Sequence, residues 1–420
     1  MSEPKRDLVE SPEQAASTGT LAARISLSQR AGGVIVPVAT VVFAFLMGGL
    51  VVLATGHNPL LAYRDIFDGA GLNWIFHPTT NTAINGGVPA QAAFNLSQTL
   101  LQTTTLILTG LAVAFAFRCG MFNIGGQGQY FVGIIVASWL GVDFAGMSAF
   151  PHILLALSAA TLAGAVWAGI AGVLKATVGA HEVISTIMLN WIAYYVASWL
   201  FGDGGPLHWS GAANATTPLS NPVSPSAQLP VFWGTGGGFG GLDIGFFVAL
   251  AALVVFWILL NRTTLGYEVR AVGFNPDAAA YGGINVKKNL IRAMAISGAF
   301  AGLAGALDLL GGNTSNFQYG PLDVQVSQVG FIGIAVALLG RNTAVGTFLG
   351  ALLFGSLLYG TTQGLTSNVI QTDLATNLTY IIQGLVVLFV GADILILYLW
   401  NSRRRLRPRR APHAPAKAAA

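Results

Sequence analysis

The chain has 420 residues, of which 9% are charged and 54% hydrophobic, with a formal net charge of +4 and a mean hydropathy of +0.65. Soluble domains carry about 25% charged residues, so this chain cannot cover a water-facing surface, and a soluble enzyme is excluded. Disorder of the whole is excluded too, since it needs low hydrophobicity and many charges, and the modest positive charge does not point to nucleic acid.

The class this leaves is an all-α, polytopic membrane protein. Its 53 glycines suit close helix packing in lipid. A span needs about 20 apolar residues. Residues 1–32 are polar and read as a disordered extension without a cleavable signal, because the apolar run from Gly33 to Gly56 is too long for a signal core. Ten spans are predicted, at 33–56, 96–117, 124–142, 151–174, 183–201, 243–260, 292–311, 326–340, 343–362 and 375–393. Between them, 57–95, 202–240 and 312–325 are rich in Gly, Pro, Asn, Ser and Thr and read as loops. In the first loop, 58–67 reads as a short amphipathic helix opened by Pro59, with Leu60, Tyr63 and Phe67 on one face. It is either a contact for an outside partner or a support for the first span. The permease domain is placed at 33–400. Residues 401–420 form a basic tail read as disordered, and Cys119, the single cysteine, has no partner for a disulfide within the chain.

Positive residues collect on the cytoplasmic side of membrane proteins. With ten spans and the N-terminus inside, 19 of the 20 Lys and Arg residues fall inside, and only Arg64 falls outside. Both termini are therefore expected in the cytoplasm.

The longest inner loop, 261–291, holds four basic residues. Asn275 there is placed to cap a short helix, Pro276 suits its first position, and Asp277 suits the positive end of its dipole. Ala278, Ala279 and Ala280 continue it, and Gly282 and Gly283 end it. The alanines offer a smooth face for a groove on another protein; a connector with no partner is the competing reading.

Gly120, Gly125, Gly126 and Gly128 make 118–129 a poor continuous helix. Broken backbone at membrane depth is tolerated against protein or a water-filled cavity. Asn123, Gln127 and Gln129 are accordingly candidates for hydrogen-bonding a neutral solute, or for tying helices together. Glu182 is read as part of an inner gate with Lys175 and Arg118, or as a solvated interfacial carboxylate. Asn190, two turns deeper, faces the pathway or a neighbouring helix. The acidic residues near lipid depth, Asp308 and Asp393, are few and not central, which argues against an ion-coupled carrier. No metal-ligand spacing and no catalytic arrangement stands out, and no GxxxxGK[ST] loop is present to hold ATP.

Three stretches carry a resemblance. Residues 267–279, followed by Gly283-Ile284, resemble the coupling loop of ABC importer permeases serving sugars, branched-chain amino acids and nucleosides. Residues 117–129 look like the "FR-G-FNIG-EGQ" segment of the nucleoside-type permeases, and 181–190 like their "NEVISTIMLN" segment. Gln127 stands where an acidic residue is expected, and His181 where asparagine is expected. The resemblance spans roughly 40–395 and is most like the longer nucleoside-type permease. It implies a multi-pass subunit of the bacterial plasma membrane that forms a nucleoside pathway by alternating access. Asn275, Pro276, Asp277, Ala278, Ala279 and Gly283 would couple it to the ATPase. The implied partners are a cytoplasmic ATP-binding subunit, a second, shorter permease, an extracytoplasmic substrate-binding lipoprotein and membrane lipid. ATP and Mg would sit on the ATPase, with no cofactor on this chain. Simple sugars or branched-chain amino acids are the alternative substrates, and an ion-coupled secondary carrier is the alternative class.

Overall fold

The structure, a computed structural model, describes residues 37–79, 87–144, 146–209, 218–234, 241–311 and 328–365, with separate helical positions between 377 and 388. Two helices form its axis. The first, α3 (Val88–Arg118), is 31 residues long and buried almost throughout. It follows α1 (Pro37–Ala54) and a short helix, α2 (Pro59–Gly69). Within α3, Thr103, Thr104 and Thr109 give their hydroxyls to carbonyls one turn back, Thr103 to Thr99 at 2.7 Å and Thr104 to Leu100 at 2.8 Å. Such self-satisfied hydroxyls are what a water-poor core requires.

The other axial helix, α10 (Val286–Leu310), packs against α3, α4 (Gly126–Asp143) and α5 (Ala149–Val178). Glycine decides how close they come. A methyl group on Gly302 would meet the Ala160 carbonyl of α5 at 2.5 Å, and one on Gly133 of α4 would meet the Gly302 carbonyl at 2.3 Å. A second glycine crossing joins α2 to α12 (Ala344–Gly364), where a methyl on Gly69 would meet the Gly360 carbonyl at 2.5 Å. Helices α6 (Glu182–Phe201) and α7 (Gly245–Arg262) lie outside and expose Trp191, Trp199, Val254 and Trp257. Large exposed apolar faces of this kind suit lipid or a membrane-embedded partner.

Among the described residues seven helices, α1, α3, α5, α6, α7, α10 and α12, are long and apolar enough to cross a membrane. They match seven of the ten predicted spans. Helix α4 also forms where a span is predicted, but Gln127 and Gln129 in its first turn reduce its apolar character. The predicted span 326–340 is the main difference. There α11 (Val329–Leu339) has only 11 residues, about 16 Å of rise, roughly half a bilayer core. It lies along the last third of α3, with Gly333 against Thr109 and Asn342 bonded to Arg118. Its N-terminus is therefore inside the bundle. Arg341 and Asn342, both at positive φ, turn the chain into α12, and Thr343 caps that helix on Gly346 N at 3.1 Å. The span at 375–393 lies largely outside the described residues, as do the loop 312–325, the segment 1–32 and the tail 401–420.

The helix 58–67 forms as α2, with Asn58 Oδ1 accepting from Leu60 N at 3.0 Å. Its buried face is Ala62, Ile66 and Gly69, and Leu60 points out. Gly69 takes the crossing itself, because α12 backbone comes too near there for any side chain.

The bundle has two distinct ends. At one, residues 218–234 and a two-stranded ladder of β1 (Val231–Trp233) and β2 (Leu242–Asp243) cover the helices. Leu229 N donates to Leu310 O at 2.8 Å, and the buried His152 ring bridges Ser226 Oγ and Leu140 O, each at 2.9 Å. At the other end lie Arg118, Lys175, Glu182, Arg262, Arg292 and Arg341. There the inner loop forms two helices, α8 (Thr264–Phe274) and α9 (Pro276–Tyr281), where one was expected.

Candidate functional sites: a buried amide cluster and a helix pair at the basic end

Between α3 and α4 the backbone leaves the helical path. Gly120 takes a φ of +74°, residues 121–124 are extended, and α4 starts afresh at Gly126. The break is filled by side-chain amides. Asn123 and Gln129 form a reciprocal pair, Asn123 Nδ2 donating to Gln129 Oε1 at 2.9 Å and Gln129 Nε2 to Asn123 Oδ1 at 3.0 Å. Asn123 also donates to Ser297 Oγ on α10 at 2.7 Å and accepts from Gly125 N at 2.8 Å. Asn190 of α6 accepts from Gly128 N at 2.7 Å and donates to Ile124 O at 3.0 Å. Gln127 Oε1 accepts from Gly330 N at 2.7 Å. The N-termini of α4 and α11 thus meet inside the bundle, and side-chain amides serve the backbone donors they leave open.

All four amides are buried, and the structure brings them together across α4, α6, α10 and α11. Glu182 stays apart. It pairs with Lys175 at 2.8 Å, while Arg118 turns to the Asn342 carbonyl. Sequence reading missed Ser297, a lone serine in an apolar helix that gains a role only because α3, α4 and α10 converge on it. We expect Asn123→Ala to leave several buried partners unsatisfied, a loss of about 1–3 kcal/mol. It should appear as a lower thermal midpoint of the purified full chain; an unchanged midpoint would show that the cluster does not hold α4.

A second polar group was also missed. Tyr130 and Thr105 donate to the carboxylate of Asp308, Thr105 at 3.2 Å. Nearby, Asp243 accepts from Gly245 N at 2.6 Å. Burial pushes the Asp243 carboxyl up to about 7, the Gly245 N–H works against that, and the charge of Asp308 adds to it. Sequence distance hides this proximity, which arises where Asp243, in the β2 ladder, lies against Gly311 at the end of α10.

At the basic end, Asn275 caps α9 as expected, its Oδ1 accepting from Asp277 N and Ala278 N at 3.0 Å each. Gly283, at φ +81°, takes the chain onward to α10. Ala279 is buried, whereas Pro276, Asp277, Ala278 and Ala280 face out. Phe274 and Tyr281, 89% and 95% exposed, flank them. Helix α8 is fixed by the Thr263 cap on Gly266 N at 3.1 Å and by burial of Val269 and Val272. Its Gly273 lies so close to the end of α3 that an added methyl would meet the Arg118 carbonyl at 2.3 Å. The α8–α9 pair is thereby seated directly on the residues that open the α3–α4 break.

The described residues form a helical bundle with interrupted helices inside and a capped helix pair held at one end, an architecture that fits a membrane transport component. Residues 95–391 match the family described as branched-chain amino acid transport system / permease component, and the chain belongs to that family. It is 36% identical over 385 residues to the guanosine ABC transporter permease protein NupP of Bacillus subtilis, covering 90% of this chain and 98% of that protein. It is 32% identical over 369 residues to the nucleoside ABC transporter permease protein NupB of Lactococcus lactis, covering 86% and 92%. A third relative, the glucose ABC transporter permease protein TsgB13 of Haloferax volcanii, is 32% identical over 362 residues, covering 84% and 86%. No solved structure matches. Membership implies an ATP-binding partner subunit, and the chain is a multi-pass membrane protein.

Proposed function

We propose that this chain forms part of the translocation pathway of an ATP-driven importer for nucleosides in the bacterial plasma membrane. The observation that carries the substrate class is the similarity to NupP along nearly the whole of that protein. The glucose permease TsgB13 keeps sugars as the second reading. In the proposed cycle the basic end faces the cytoplasm, and both termini lie there. A cytoplasmic ATPase grips α9 by its exposed face, and Asn275, Pro276, Asp277, Ala278, Ala279 and Gly283 hold that helix in shape. Motion of α9 passes through α8 and the Gly273–Arg118 contact to the α3–α4 break. There Asn123, Gln127, Gln129 and Asn190 exchange the hydrogen bonds they make to each other and to nearby backbone for bonds to water or solute as the pathway opens. The ion pair of Glu182 with Lys175 belongs to the inner gate. A second, shorter permease completes the pathway, and an extracytoplasmic binding lipoprotein delivers the solute.

The test is uptake of labelled guanosine by cells with and without this chain and its partners. Uptake should require this chain and ATP, and excess unlabelled ribose, glucose or leucine should not reduce it. Competition by a sugar would move the substrate to the second reading. Uptake without ATP or an ATPase would replace the importer with a secondary carrier.

A further inference from the structure

A cavity of about 310 Å³ opens at the basic end between α7, α8 and the start of α12. Arg118 and Arg270 both line it, with Asn261 and Asn342 beside them and Trp257 and Val345 on its outer side. Arg118 spends Nε and Nη2 on the Asn342 carbonyl, at 3.0 and 2.8 Å. Arg270 spends Nη1 on the Leu260 carbonyl and, at 3.3 Å, on Asn261 Oδ1. A guanidinium has five N–H donors, so each keeps donors that have no protein partner among the described residues. Among the described residues neither forms an ion pair; the pairs there are Arg64–Asp68, Lys175–Glu182 and Arg292–Glu268. Two like charges thus share one cavity with no counter-charge from the described residues, an arrangement that costs free energy unless an anion joins them. A third cation stands at the rim, where the Arg262 guanidinium lies 5.2 Å from the centre of the Trp257 ring.

The surroundings select the anion. The outer wall is apolar and open sideways, with Trp257 44% and Val345 71% exposed. The cavity lies where membrane-crossing helices end, the depth at which tryptophan and lipid headgroups meet. Basic pockets between membrane helices suit anionic headgroups, and the planar fork of arginine matches phosphate oxygens in pairs. We propose that this cavity seats the phosphate headgroup of an anionic membrane lipid, with its acyl chains running over Trp257 and Val345 into the bilayer.

The experiment uses the full chain, purified in a neutral detergent and offered phosphatidylglycerol, phosphatidylcholine or inorganic phosphate. Bound lipid is counted by native mass spectrometry. Phosphatidylglycerol should be retained and phosphatidylcholine should not. Arg270→Gln should weaken retention about fivefold, as expected for one interfacial arginine, and Arg270→Lys should recover most of it. Since Arg270 also holds the Leu260 carbonyl, Val345→Glu provides a second variant that leaves those bonds intact. Its carboxylate at the mouth should pair with the arginines and lower retention by a similar factor. Equal retention of the two lipids, or wild-type retention in the variants that fold, would overturn the proposal. So would displacement of the lipid by millimolar inorganic phosphate, which would make free phosphate the ligand.

Discussion

Replacing Gly302 by leucine should abolish assembly of the bundle. A side chain there is pressed against the backbone of α5, where a methyl group would meet the Ala160 carbonyl at 2.5 Å and Gly164 Cα at 3.0 Å. Both neighbours are backbone, which cannot rotate aside as a side chain can. A leucine there must drive α10 away from α5. Overpacking typically costs about 1–3 kcal/mol, and a clash with unyielding backbone places Gly302→Leu at the upper end, about 3 kcal/mol. The protein should be recovered from membranes in aggregated form or not at all. Gly169→Leu on α5 serves as the control, because nothing lies within 4 Å of a methyl group there. It should purify as the native chain does. Normal recovery and melting of the Gly302 variant would mean that α5 and α10 are not packed as described.

Altering the exposed face of α9 should separate transport from folding. Ala280 lies on that face, and arginine is a good helix former, so Ala280→Arg should leave the melting of the chain unchanged. A bulky charge placed where a partner must dock should reduce ATP-driven uptake about tenfold or more, equivalent to 1.4 kcal/mol or more of lost interaction. The companion variant, Asn275→Ala with Pro276→Ala, removes the cap and the preset first residue of the helix. Loss of such a cap costs about 1 kcal/mol, enough to loosen a helix of six residues. If both variants keep wild-type uptake and still assemble with the ATPase, α9 is not the coupling element. The interpretation depends on rigidity. A short helix transmits displacement only if it cannot yield, and here the Asn275 cap at one end and the seat of Gly273 on the end of α3 prevent yielding.

The sequence by itself determined the class of this protein, most of its helices and the short capped helix at 276–281. Each of these is a local property. Twenty apolar residues must satisfy their own backbone in lipid, and an asparagine followed by proline and aspartate caps a helix whatever surrounds it. The break after Arg118 was legible for the same reason, since four glycines within nine residues cannot sustain a helix through the membrane. Tertiary structure alone decided what fills that break. Asn123, Gln129, Asn190, Ser297 and Gly330 are spread over some 200 residues of sequence, and only the crossing of α3, α4, α6, α10 and α11 brings them within bonding distance. The shortness of the helix found in the predicted span 326–340 has the same origin. Its composition is apolar enough for a membrane, but its length is set by where Gln127 receives its first turn. The inward face of α2 was decided in that way too: Gly69 meets the α12 backbone, Ala62 and Ile66 are buried, and Leu60 is left exposed. Pattern in a sequence records what each segment must bury; which neighbour buries it, and how near that neighbour comes, is a property of the packed bundle.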